Sequence, residues 1–203
     1  MNYAPLVFLG VFLTLASSWV GLVLAPQLQL GRQQEVKIEE TSEVYPPVRP
    51  GLAQRGMEVY KANGCIYCHS QQVRPPGFGA DIERNWGQRR TVSRDYLHDK
   101  PVMLGTMRTG PDLANIGVRQ TSVEWHLLHL YDPQITSKGS IMPPFRFLFE
   151  KRKIGAKPSP DALALPREFA PEPGYEIVPK PEAKALVQYL LSLKANVPLP
   201  EAE

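Results

Sequence analysis

The sequence predicts an all-α protein: one apolar N-terminal helix long enough to cross a bilayer, then a small helical domain threaded by long proline-rich loops. Three observations carry this. No charged side chain occurs in the first 31 of the 203 residues. Beyond them, apolar residues recur at helical spacing in three stretches, and no alternating run points to a substantial sheet. The 21 prolines gather at residues 46–50, 75–76, 143–144 and 158–181, where they favour extended, irregular chain. Composition divides the chain into an anchor at 1–31, a linker at 32–50 and one domain at 51–203, with a proline-rich insertion at about 147–180 before the last helix.

The run Ala4–Ala25 holds 22 uncharged residues, about 33 Å as a helix, against a hydrocarbon core of ~30 Å. A cleaved leader would carry a basic start and an A-x-A-like site. Met1-Asn2-Tyr3 has no Lys or Arg, and the run ends Val23-Leu24-Ala25-Pro26, so a retained anchor in the lipid bilayer is expected. Gly10, Thr14, Ser17 and Gly21 share one face of that helix, where another helix could approach closely. Small residues are common in such helices, but a solitary anchor needs no smooth side, so a packing face is expected.

The domain's first helix is expected at Gly51–Asn63, with Leu52, Met57, Val59 and Tyr60 apolar and Gly64 as its stop. The second is expected at Ser122–Tyr131, with Thr121 as N-cap and Glu124 completing a capping box. Asp132-Pro133 ends it. The third is expected at Pro181–Lys194, with Ala185, Leu186, Tyr189, Leu190 and Leu193 on one face.

Cys65-Ile66-Tyr67-Cys68-His69 is the chain's one C-x-x-C-H and uses both of its cysteines. Thiols at this spacing add across the two vinyl groups of a haem, and the next residue ligates its iron. The motif marks a c-type haem attachment site, and its single occurrence implies one haem c. A zinc site would need a fourth ligand from His98, His126 or His129, with no second ligand pair at zinc-like spacing. A redox dithiol would sit near a βαβ pattern, which the flanks lack. A disulfide three residues apart closes too small a loop to stabilise much. With three helices around the motif, the pattern is cytochrome c-like. A net charge of +3, with no basic cluster interleaved with aromatics, excludes nucleic acid as a partner.

His69 supplies one axial bond. For the other, Met57, Met103, Met107, Met142, His98, His126 and His129 are candidates. Met142 is the expected ligand, because Pro143 and Pro144 stiffen the loop that carries it. Met57 reads as core, whereas Met103 and Met107 lie in a loop and stay open. His126 and His129 share a helical face beside Trp125; they are ligands of a bis-His haem or hydrogen-bond donors to neighbours or haem carboxylates. Met/His ligation raises the potential and leaves no open coordination position, which suits an electron carrier. The turn Thr109-Gly110-Pro111-Asp112-Leu113 places the Pro111 carbonyl as a possible acceptor for the His69 ring N–H.

The segments CIYCHSQQVRP (65–75), RTGPDLANIG (108–117), EWHLLHLYDP (124–133) and SIMPPF (140–145), behind a single N-terminal helix, resemble the membrane-anchored monohaem subunit (subunit II) of cbb3-type cytochrome c oxidases. The resemblance implies Cys65 and Cys68 as thioether attachment points, His69 and Met142 as axial ligands, and electron transfer within a respiratory chain. Electrons would come from a diheme cytochrome c subunit or a soluble cytochrome donor and pass to a membrane-embedded catalytic subunit. That subunit reduces oxygen to water and pumps protons. Alone, the chain is non-catalytic, a component of an oxidoreductase complex. Gln71, Arg74, Arg108 and Arg119 are expected at that interface or at the haem propionates, where Arg forks suit carboxylates.

Arg32 and Lys37 follow the anchor and, by a positive-inside count, place the domain in the cytoplasm; Glu35, Glu39 and Glu40 offset them. Covalent haem c is assembled outside the cytoplasmic membrane. The expected location is therefore the bacterial inner membrane, single-pass, with the haem domain on the periplasmic side. Two rivals remain: the c subunit of a membrane nitric oxide reductase, and a membrane-tethered haem gas sensor whose Met142 is displaced. A free-standing anchored shuttle is a third.

Overall fold

The computed structural model describes residues 2–38 and 42–202. Glu39 and Glu40, part of the charge count above, lie outside the described residues. The chain forms two compact units, one of residues up to Pro46 with Ser93–His98, the other of Pro47–Val92 with Asp99 onward.

In the first unit, α1 (Ala4–Trp19), a π-helical turn (Val20–Leu24) and α2 (Ala25–Leu30) form a continuous helix over Ala4–Leu30. It is 27 residues long and apolar enough to cross a membrane. The helix runs through Pro26, where the sequence placed its end. Pro26 has no N–H, and its ring presses on the carbonyl four residues back; the wider π turn directly before it relieves that crowding. Thr14 and Ser17 spend their hydroxyls on the carbonyls of Gly10 and Thr14, at 2.8 and 3.0 Å. After the helix, β1 (Val36–Lys37) pairs antiparallel with β2 (Val44–Tyr45). The Ser93–His98 segment grips this stretch: Tyr45 donates to Asp95 at 2.6 Å, and His98 Nε2 lies 3.0 Å from Glu35.

The second unit is built on two crossing helices, α3 (Gly51–Ala62) and α6 (Pro181–Ser192). On α3 the inward stripe is Ala53, Gly56, Met57 and Tyr60, at helical spacing, while Leu52 is exposed. On α6, Ala183, Ala185, Leu186, Val187, Tyr189 and Leu190 are all buried, because neighbours cover several of its sides. Gly56 makes the crossing possible. A Cβ there would lie 2.0 Å from the Ala185 carbonyl oxygen and 2.7 Å from the Tyr189 Cβ. Both are too rigid to yield. Gly56→Ala gains ~1 kcal/mol of helix propensity but overpacks backbone against backbone, which costs about 1–3 kcal/mol or more. A net loss of about 1–2 kcal/mol is expected in denaturant titrations; a variant as stable as the parent would show that the helices can part freely.

The short α4 (Ile116–Arg119) and α5 (Val123–Tyr131) also pack on α6. The N-cap of α5 is Ser122, whose hydroxyl accepts from the Trp125 N–H at 3.1 Å, one residue later than the Thr121–Glu124 box the sequence offers.

The all-α expectation needs correction. Within the proline-rich insertion, β3 (Phe149–Lys153) and β4 (Tyr175–Pro179) form an antiparallel pair, from Phe149↔Pro179 to Lys153↔Tyr175. Phe149, Ile177 and Val178 are buried, and Tyr131 meets Phe149 edge-on at 5.3 Å. The rest of β3 is Glu-Lys-Arg-Lys, exposed and charged as an edge strand should be, so no alternation marks it. The chain is thus mostly helical with small sheets.

Candidate functional site

At the end of α3, Gly64 takes a left-handed conformation (φ +67°) and turns the chain into a 3-10 turn, Cys65–Tyr67. The Cys65 carbonyl accepts from both the Cys68 and His69 N–H groups, at 3.1 and 3.0 Å. This turn opens onto a cavity of about 500 Å³ lined by Cys65, Cys68, His69, Pro111 and Met142. Its apolar wall comes from Leu113, Ile116, Leu130, Leu186 and Leu190, with Tyr60, Trp125, His126 and His129 adding ring surface.

His69 Nδ1 lies 2.8 Å from the Pro111 carbonyl oxygen. A carbonyl only accepts, so Nδ1 carries the hydrogen and Nε2 keeps its lone pair for a metal. Burial holds the ring's pKa below the usual imidazole range, against the opposing pull of the Pro111 carbonyl, and so favours the neutral form. Gly110 lies flat on that ring: a Cβ would sit 2.3 Å from His69 Cε1. Any other residue would push the imidazole away.

Both cysteines are free. Burial pushes the Cys65 thiol up to about 11, the opposite of a reactive dithiol or zinc thiolate. Among the described residues, no three His, Cys, Asp or Glu side chains gather as a metal cluster. Two thiols, a neutral imidazole and a thioether, around an apolar cavity of cofactor size, fit a covalently held haem c.

The candidates for the second axial position separate in space. Met57 and Met103 are buried in the core and Met107 is exposed; none lines the cavity. His98 lies in the other unit, at 3.1 Å from the Pro46 carbonyl. Met142, His126 and His129 do line it. His126 Nε2 is engaged with the Gln120 carbonyl at 2.9 Å. His129 Nδ1 lies 2.6 Å from Thr136 Oγ1, and its ring stacks on Trp125 at 4.7 Å. Burial brings His129 down to about 4, so it is neutral near pH 7.

The four residues expected at an interface or propionate are placed differently. Gln71 is buried and accepts from the Tyr189 hydroxyl at 3.0 Å; Gln72 is exposed and Val73 buried, the alternation of an extended chain. Arg108 binds Asp81 and the Gln72 carbonyl, and Arg119 the Asp112 carbonyl; neither lines the cavity. Arg74 is half-buried over the Phe78 ring. Buried carboxylates and carbonyls draw these guanidiniums away from the cavity. Lys138 is the one lysine or arginine lining it among the described residues.

The residue the sequence did not single out is Asp112, fully buried. It accepts from Ser70 Oγ at 2.6 Å, from the Gln72 N–H at 2.7 Å and from the Ala114 N–H at 2.8 Å. It ties the chain just after His69 to the turn that carries Pro111. Tyr60 adds a 3.4 Å bond to the His69 carbonyl.

No curated protein matches the chain significantly. The family model described as cytochrome C oxidase, mono-heme subunit/FixO matches residues 3–169, well over half of the sequence and including the attachment motif, the Pro111 turn and Met142. The chain therefore belongs to the FixO family, the mono-haem cytochrome c subunits that transfer electrons in a terminal oxidase.

Proposed function

We propose that the cavity holds one haem c, bound through Cys65 and Cys68, with His69 and Met142 as axial ligands. In this reading the chain passes electrons to the membrane-embedded catalytic subunit of an oxygen-reducing, proton-pumping oxidase. A diheme cytochrome c subunit or a soluble cytochrome supplies them. The observation that carries the reading is the convergence of both cysteines, His69 and Met142 on one apolar cavity.

When bound, the haem supplies a one-electron iron couple. The protein's part is to hold and insulate it. Pro111 and Gly110 fix the His69 ring and its tautomer. The leucines and Ile116 exclude water, which narrows the reorganisation that accompanies a change of charge. Lys138 is placed to pair with a haem carboxylate, in the role first considered for Arg108 and Arg119. Ala4–Leu30 anchors the domain, N-terminus inside and haem domain on the periplasmic side of a bacterial cytoplasmic membrane, residues 32–50 serving as the linker.

The test is to purify the complex from native membranes. This chain should keep its haem after denaturation, and the large subunit that comes with it should consume oxygen. Consumption of nitric oxide instead would transfer the chain to a reductase. Isolation of the chain alone in mild detergent would favour a free shuttle. Carbon monoxide binding at this haem in the reduced parent protein would favour a gas sensor.

A further inference from the structure

In the loop that presents Met142, Met142 and Phe145 pack against the core, while the residue before Met142 and the two between them are exposed. Ile141 is 80% exposed, and Pro143 and Pro144 are exposed as well. Two pegs hold the segment. On the C-terminal side, the Phe145 N–H donates to the Leu130 carbonyl at 2.8 Å, and Arg146 pairs with Asp132 at 2.5 Å. On the N-terminal side the Ser140 N–H donates to the Ser137 carbonyl at 3.0 Å, and one side chain adds two further bonds. Gln134 Oε1 accepts from the Gly139 N–H at 2.8 Å, and Gln134 Nε2 donates to the Ser140 carbonyl. Ser140 Oγ in turn accepts from the Met142 N–H at 3.2 Å.

The base of this clip is also fixed. The Gln134 N–H is capped by Asp132 Oδ1 at 3.2 Å, within a 3-10 turn at Pro133–Ile135. Gly139 sits at φ +83°, a left-handed turn that brings its N–H to the amide. A primary amide is the group this needs, since it must accept and donate at once across a single turn.

We propose that Gln134 is a positioning residue that holds the Met142 loop, and so keeps the Met142 thioether on the iron and the coordination closed. The proposal rests on Met142 being the axial ligand. Gln134 is exposed, so its two neutral hydrogen bonds compete with water and contribute modestly. Losing both shifts the balance between closed and open coordination by about tenfold, not by orders of magnitude.

The experiment uses the full-length, haem-loaded protein in detergent, as parent, Gln134→Ala, Gln134→Glu and Ser140→Ala. The readouts are the sulfur-to-iron charge-transfer band of the oxidised protein, carbon monoxide uptake by the reduced protein, and far-ultraviolet circular dichroism. The parent should show the band and exclude carbon monoxide. Gln134→Ala should weaken the band and raise the fraction that takes up carbon monoxide about tenfold, with unchanged dichroism. Gln134→Glu keeps the acceptor for Gly139 but loses the donor to Ser140, and should fall between. Ser140→Ala, which breaks only the last link, should also loosen the band and serves if Gln134→Ala does not fold. A parent without the band defeats the ligand reading itself. A parent with the band, and Gln134 and Ser140 variants indistinguishable from it, overturns the role of Gln134 while leaving Met142 in place.

Discussion

Met142→Ala is expected to lower the midpoint potential of the haem by on the order of 100 mV and to open the site to carbon monoxide. A thioether favours the reduced iron; water or a nitrogen ligand in its place favours the oxidised one, and axial ligands set haem potentials over a span of ~0.8 V. The cavity narrows the substitutes. With Met57, Met103 and Met107 outside the lining, the other nitrogen donors on it are the Lys138 amine and the imidazoles of His126 and His129. Both imidazoles are neutral-leaning, since burial depresses their pKa, and each has one ring nitrogen engaged by protein. Should one of them capture the iron in Met142→Ala, the potential falls but carbon monoxide stays out. Redox titration with carbon monoxide difference spectra separates these results. An unchanged potential would remove Met142 from the iron altogether.

Asp112→Ala should destabilise the folded, haem-loaded protein by about 3–5 kcal/mol, since it orphans three neutral donors at about 1–3 kcal/mol for each one that is buried. The change strands the buried Ser70 hydroxyl and Ala114 N–H, and leaves the part-buried Gln72 N–H without its partner. Arg108 keeps Asp81 as its partner, so the loss concentrates on the segment after His69. Asp112→Asn retains an acceptor for Ala114 and should cost less, about 1–3 kcal/mol. Guanidinium titrations followed at the haem absorbance measure both. A loss below about 1 kcal/mol for the alanine variant would mean that water reaches the orphaned groups.

The contrast between these two residues shows how far the sequence reaches. Met142 stands in a loop between Ser140-Ile141 and two prolines, and that local pattern marks it as a candidate that the structure brings to the cavity wall. Asp112 looks like an ordinary turn residue after Gly-Pro. Its partners at 70 and 72 are far away in sequence, and nothing local announces a fully buried carboxylate. Gly56 is similar: within an α3 pattern it reads as a weak helix former, until α6 brings the Ala185 carbonyl against it. The β3–β4 pair escaped for the complementary reason. An edge strand of Glu-Lys-Arg-Lys is held by its ladder to residues 175–179, not by a pattern of its own.

The sequence by itself determined the apolar helix, the C-x-x-C-H motif at Cys65–His69, the main helices and the family, because each depends on contiguous residues or on spacings of a few. Only the tertiary structure decided which residues share the cavity, which guanidiniums are drawn to buried Asp81 and to backbone carbonyls, and where the proline-rich insertion becomes sheet. Those outcomes turn on distances between segments far apart in the chain. There, burial makes an unpaired charge or a single extra methyl group costly enough to choose among arrangements that the local sequence permits equally.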